Sequence, residues 1–95
     1  MEVHLRVVKG PTRVKTIRMR TADCLIGRAK GSKIRIPSGL VSRRHCLLFF
    51  DQGGLFVKDL QSSNGTYING LRISGKRLVR PGDWLRVGPI TFMAE

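Results

Sequence analysis

The sequence predicts an all-β protein, and three observations carry that expectation. Short alternating or β-rich runs recur along the whole chain, Gly, Pro, Asn and Asp separate them at close intervals, and no segment sustains a helical period. Roughly ten such runs in one small chain point to a sandwich or a barrel.

The elements follow in order. Val3 to Val7 alternates apolar and polar residues and closes at Gly10-Pro11. In the next run, Val14 to Met19, Val14 is out of step with Ile17 and Met19, which suggests a bulge. Cys24-Leu25-Ile26 precedes Gly27, and Ile34-Arg35-Ile36 is stopped by Pro37. His45 to Asp51 and Leu55 to Leu60 flank Gln52-Gly53-Gly54, a short hairpin connection. Thr66-Tyr67-Ile68 runs into Asn69-Gly70, the strongest two-residue hairpin signal, and Leu71-Arg72-Ile73 returns from it. Leu78-Val79, Trp84 to Val87 and Ile90 to Met93 complete the set, with Trp84 read as a core residue among alternating apolar neighbours.

A chain of 95 residues has room for one modest core, so one domain over residues 1–95 is expected, without linker or internal repeat. Hydrophobic residues at 41% and charged residues at 25% place it among globular rather than disordered chains. The longest apolar run, Cys46 to Phe50, is far too short to span a bilayer, and Met1 to Arg6 holds no apolar stretch of signal-peptide length. A cytoplasmic location, or a nuclear one in a eukaryote, is therefore expected. Cys24 and Cys46 lie inside apolar runs and read as buried free thiols, and the ligand clusters of a zinc site are missing.

The net charge of +12 is unevenly spread along the chain. Residues 1–44 carry twelve Lys or Arg against two acids, a net +10, whereas residues 45–95 carry six against four, a net +2. Such a field attracts anions: nucleic acid, acidic lipid surfaces or phosphorylated protein.

Four short segments stand out: Gly27-Arg28, Ser42-Arg43-Arg44-His45, Ser62-Ser63-Asn64-Gly65-Thr66 after Asp59-Leu60, and Asn69-Gly70. Taken singly, each has an ordinary explanation. A Gly-Arg pair at a strand end is usually a turn with a solvated side chain, and Ser-Ser-Asn-Gly-Thr is good turn chemistry. Asn64-Gly65-Thr66 also matches a glycosylation sequon, which carries no weight without a secretory signal.

In this order and spacing they closely resemble the forkhead-associated (FHA) family. The resemblance runs from about Cys24 to Gly88, with Val3 to Arg20 as the opening strands. It rests on Ile26-Gly27-Arg28, Ile34-Arg35-Ile36, Val41-Ser42-Arg43-Arg44-His45 and Val57-Lys58-Asp59-Leu60. It continues through Ser62 to Gly70 and ends with Gly82-Asp83-Trp84-Leu85-Arg86-Val87-Gly88. The resemblance implies a two-sheet antiparallel β-sandwich whose loops at one end bind a phosphothreonine peptide. The implied partner is a phosphothreonine-containing protein, such as a Ser/Thr kinase or its substrate. The implied role lies in kinase-linked signalling, with no cofactor, metal, membrane or catalysis.

The chemistry of the matching residues agrees with that implication. A phosphate monoester carries about −1.5 to −2 charges and three strong acceptor oxygens, so its receptor needs fixed donors and positive charge. Arg28 can supply a charge-assisted contact, Ser42 a short hydroxyl donor, and Arg43 a second positive charge. By its place in the motif Ser63 approaches from the opposite loop, and the Asn64 amide, both donor and acceptor, suits a peptide main chain. Gly27, His45, Gly65, Thr66, Asn69 and Gly70 are assigned to structural support, with His45 bracing the Ser42 loop by resemblance. Arg44 is assigned equally to the site or to solvent.

Two other classes fit the sequence less well. A nucleic-acid-binding β-domain draws on the +10 half-chain, but no nucleic-acid motif is present and the aromatics read as embedded in apolar runs. Nucleic acid therefore stands as a secondary partner. An enzyme is disfavoured: Gly27 to Lys33 superficially suggests a phosphate loop but lacks the Gly-Lys-Ser/Thr ending, and no helix follows.

Overall fold

The computed structural model describes residues 2–11, 15–20 and 22–95. Eleven strands follow one another: β1 Val3–Lys9, β2 Thr16–Met19, β3 Cys24–Gly27, β4 Ile34–Arg35, β5 Cys46–Asp51 and β6 Gly54–Asp59. Then come β7 Thr66–Ile68, β8 Leu71–Arg72, β9 Lys76–Val79, β10 Trp84–Val87 and β11 Ile90–Ala94. They form a six-stranded sheet, in the order β2-β1-β11-β10-β7-β8, and a five-stranded sheet, β4-β3-β5-β6-β9. A two-sheet sandwich, rather than a barrel, is the outcome.

The alternation read from the sequence sets what each face does. Inward residues of the first sheet, Leu5, Met19, Ile68, Leu85, Val87 and Phe92, form one buried cluster with Ile26, Cys46, Leu48, Leu55 and Val57 of the second. Burying side chains of this size contributes about 1.5–3 kcal/mol each against an unfolded reference, so the core holds the sheets and leaves the loops free to vary. Cys24 and Cys46 are free and buried, as the sequence suggests. Burial pushes their thiols up to about 11 and about 12, so both stay protonated at neutral pH.

Three details bear on the sequence-based expectation. The sheets are antiparallel except at β3 and β4, which pair in parallel through Ile26↔Ile34 and Gly27↔Arg35. The chain turns over after Gly27 and returns alongside it. The turn is held by Ser32 N donating to the Ala29 carbonyl (3.0 Å) and Ile36 N to the Gly27 carbonyl (2.9 Å). Second, the ladder irregularity lies in β1, between Val7 and Lys9 opposite β11, whereas the expected bulge at Val14 falls outside the described residues.

Third, Trp84 is not in the core: it is 51% exposed. Leu85 and Val87 are the buried members of β10, so the two-residue period sends Trp84 and Arg86 to the outer face. The Asn69-Gly70 and Gln52-Gly53 turns have the positive φ values that a tight two-residue hairpin requires (51° and 83°, 50° and 78°).

Candidate functional site

Three loops meet at one end of the sandwich. They are residues 28–33 between β3 and β4, 36–45 between β4 and β5, and 60–65 between β6 and β7. Each expected ligand-binding residue sits on one of them, and hydrogen bonds tie the loops together. Arg28 N donates to the Ser42 carbonyl (3.0 Å) and Ala29 N to the Arg43 carbonyl (3.1 Å). The approach is so close that a Cβ on Gly27 would lie 2.1 Å from the Arg43 carbonyl oxygen. Gly27 therefore has a steric reason that turn propensity alone does not provide.

His45 joins the second loop to the third. It is fully buried; its Nδ1 accepts from Ser42 N (3.0 Å) and its Nε2 faces the Gly65 carbonyl (2.9 Å). Because a backbone N–H can only donate and a carbonyl can only accept, the ring is the neutral tautomer with its proton on Nε2. A second link runs from Ser63 N to Ser42 Oγ (3.1 Å), and a third from Asn64 Nδ2 to the Leu40 carbonyl (3.0 Å). Arg28, Ser42, Arg43, Ser63 and Asn64 are thus brought together, though they span 37 positions of sequence.

A carboxylate missed by the sequence reading organises the third loop. Asp59 accepts from Ser62 N (3.1 Å) and from the hydroxyls of Ser62 (2.5 Å) and Thr66 (2.7 Å), while Gly65 N donates to Ser62 Oγ (3.0 Å). Burial pushes the Asp59 carboxyl upward, but the hydrogen bonds from Ser62 and Thr66 outweigh it and hold the group below its ordinary value. The available signal was Asp59-x-x-Ser62, an acceptor three residues before a hydroxyl, the pattern of a side chain folding a turn onto itself. Tyr67 adds a further brace by donating its hydroxyl to the Asn64 carbonyl (3.2 Å).

The donors left over define what the site can receive. Arg28 Nε donates to the Val41 carbonyl (3.0 Å), which fixes the guanidinium while its terminal N–H groups make no hydrogen bond to the described residues. Ser42 Oγ accepts from Ser63 N, so its own proton remains to be donated. Arg43 and Arg44 are exposed beside it. Among the described residues, none of Arg28, Arg43 and Arg44 is in an ion pair; the ion pairs involve Glu2, Glu95 and Asp51. One fixed guanidinium, two exposed ones beside it and a free hydroxyl donor, with no carboxylate paired to them among the described residues, suit a compact dianion.

Asn69 and Gly70 stand apart from this cluster. They form the β7–β8 hairpin, at the other end of β7 from Gly65. There Asn69 Oδ1 accepts from Trp84 N (2.9 Å), and its Nδ2 donates to Asp83 Oδ1 (3.0 Å). Their support reaches the site only through β7. Thr66 and Gly65, in contrast, are buried within the third loop and the strand it enters.

Fold and site together define a small β-sandwich with an anion-receiving site made by its end loops. The family model for the FHA domain matches residues 24–88, and the chain belongs to that family. It is 42% identical over 68 residues to the ABC transporter ATP-binding/permease protein Rv1747 of Mycobacterium tuberculosis, covering 72% of this chain and 8% of that protein. It is 34% identical over 74 residues to the FHA domain-containing protein FhaA of the same organism, covering 78% of this chain and 14% of FhaA. The chain thus spans a small part of the length of these two relatives. A solved structure from a study of phosphothreonine-dependent FHA domain interactions superposes with a TM-score of 0.86 at 29% identity, covering 100% of this chain and 96% of that one.

Proposed function

We propose that this domain is a phosphothreonine-reading interaction module in Ser/Thr-kinase-linked signalling, with Arg28, Ser42, Arg43 and Ser63 on the phosphate and Asn64 on the peptide main chain. The observation that carries the reading is the junction of the loops. One buried histidine holds Ser42 and Gly65 in register, and Ser63 N is fixed on Ser42 Oγ, with Arg28 locked on the Val41 carbonyl alongside. Such preorganised donors recognise a phosphate at little entropic cost. Membership of the FHA family, whose modules read phosphorylated motifs through Arg clusters, supports the same conclusion. Family membership supports reading the site residues as groups that bind and orient a ligand, in a binding module rather than an enzyme.

The test is calorimetric titration with an oriented phosphothreonine peptide library, using phosphoserine and unphosphorylated controls. Binding should require the phosphate and prefer threonine. Arg28→Ala should cost about 1.5–3 kcal/mol, the value of a hydrogen bond to a charged group, or roughly ten- to a hundredfold in Kd. Unchanged affinity in that variant would remove Arg28 from the site.

A further inference from the structure

The outer face of the six-stranded sheet carries a second assembly of cations, which begins at Arg72, whose guanidinium lies against Gly65 of the third loop. Cross-strand register places Arg72 opposite Tyr67, Tyr67 opposite Arg86, Arg86 opposite Thr91, and Thr91 opposite Lys9. Residues opposite each other in a ladder point to one face. One row on the outer side therefore crosses β8, β7, β10, β11 and β1, about 19 Å at the usual strand spacing, with Thr91 itself covered and Lys9 joining past the ladder irregularity of β1. Trp84 stands on the same face, two residues before Arg86 on β10, and is 51% exposed.

The chemistry of this row is specific. The Arg86 guanidinium carbon lies 4.0 Å from the centroid of the Tyr67 ring, a cation–π contact that keeps both planar groups on the surface. Tyr67 is further fixed by its hydroxyl on the Asn64 carbonyl (3.2 Å), and the Trp84 backbone is clamped on Asn69 from both sides (2.8 and 2.9 Å). Arg72, Arg86 and Lys9 form no ion pair among the described residues, whereas at the β1–β2 side Glu95 takes Arg6 and Glu2 takes Arg18 and Arg20. The surplus charge thus lies in the Tyr67 row, while Trp84 stands in the next row, opposite Met93 and on the side where Glu95 neutralises Arg6. A sheet face that presents aromatic rings beside unneutralised cations is how single-stranded nucleic acid is held without sequence preference: bases stack and phosphates pair. An acidic peptide would use the cations but leave an exposed indole without a function.

We infer that the outer face of β8, β7, β10, β11 and β1 binds single-stranded nucleic acid, with Trp84 as the base-stacking platform and Arg72, Arg86 and Lys9 on phosphates. Three phosphate contacts give a slope of log affinity against log salt of about −2 for a single strand. Trp84 is the chain's one tryptophan, so its fluorescence reports stacking directly.

The experiment titrates the intact chain with a thymidine oligonucleotide, polyphosphate and polyglutamate, following Trp84 emission and the anisotropy of a labelled oligonucleotide. The oligonucleotide should quench Trp84 and bind more tightly than either stacking-free polyanion. Trp84→Ala should weaken it about tenfold, the lower end for one stacked base. Arg86→Ala should weaken it and flatten the salt slope by about one phosphate contact. Trp84 is exposed, so Trp84→Ala should leave the melting temperature and phosphopeptide affinity unchanged; Arg86→Ala, which loses the stack on Tyr67, should lower the melting temperature by several degrees at most, and Arg28→Ala should leave oligonucleotide binding intact. Three outcomes would overturn the inference: no quenching, equal binding of polyglutamate, which would assign the face to an acidic protein, or loss of oligonucleotide binding in Arg28→Ala, which would place the anion in the peptide site.

Discussion

Replacing His45 by alanine removes the strut on which the binding loops lean. The imidazole gives each of two backbone groups its partner, Ser42 N at 3.0 Å and the Gly65 carbonyl at 2.9 Å, in a fully buried position. Alanine can replace neither contact, and water reaches the site poorly. Leaving a buried donor or acceptor unpaired costs about 1–3 kcal/mol each, so the pair costs about 2–6 kcal/mol. In a domain of this size each kcal/mol lowers Tm by about 4–8 °C, which predicts a fall of at least about 8 °C. Thermal melts followed by circular dichroism, paired with urea titration, would measure it. His45→Leu separates hydrogen bonding from packing, because leucine fills most of the space but restores neither bond; it should melt nearly as low as the alanine variant. A fall of less than about 4 °C in His45→Ala, or near-complete rescue by leucine, would refute the bridging role of the ring.

Other perturbations probe the same loops from different sides. Asp59 sits below its ordinary value when folded, so its stabilisation is fully present above about pH 4 and is lost as pH falls through the lower folded-state value. The stability gap between the wild type and Asp59→Asn, from urea midpoints, should therefore be flat near neutrality and close in acid; a gap that widened in acid would contradict the hydrogen-bond account. Gly27→Ala drives a methyl group to 2.1 Å from the Arg43 carbonyl, and overpacking of this kind costs about 1–3 kcal/mol or more. Its Tm and phosphopeptide affinity should fall together, and full affinity in that variant would show that the first two loops need not touch. Leu40 is 55% exposed on the second loop, with its carbonyl held by Asn64. A phosphopeptide array should select an apolar residue downstream of the phosphothreonine, and selection of acidic residues there would dismiss Leu40 as a contact.

The candidate site was legible because its chemistry lies in residue types that few other roles demand together. Gly27-Arg28, Ser42-Arg43 and Ser63-Asn64 sit at turn signals between strands, so the sequence alone places them on loops. Their mutual positions were not legible, because these depend on which strands pair. The parallel β3–β4 contact is one example: two residues of β4, cut short by Pro37, carry too little pattern to reveal their direction. Asp59 was passed over because a carboxylate at a strand end usually faces solvent, and only the returning hydroxyls of Ser62 and Thr66 show otherwise. Trp84 was misread for a different reason. Its large apolar surface argues for burial, but its parity against Leu85 and Val87 argues for exposure, and in a short strand with one buried face parity prevails.

That parity also changes what the charge distribution means. Along the chain, the net +10 of residues 1–44 looks like a basic half joined to a nearly neutral one. In space the halves interleave: β1 from the first half lies between β2 and β11, and β11 continues to β10, β7 and β8 from the second. The outer row takes Lys9 from the basic half and Arg72 and Arg86 from the other, while Glu95, from the end of the chain, neutralises Arg6 near its beginning. The phosphate site is assembled in the same way, with Arg28, Ser42 and Arg43 from one half and Ser63 and Asn64 from the other. Charge counted along the sequence therefore indicates that anions are attracted, but register decides where they can be held. Two anion receptors of different chemistry, one built from loops around a hydroxyl and one from a sheet face around planar groups, can coexist because opposite-charge partners are withheld from both.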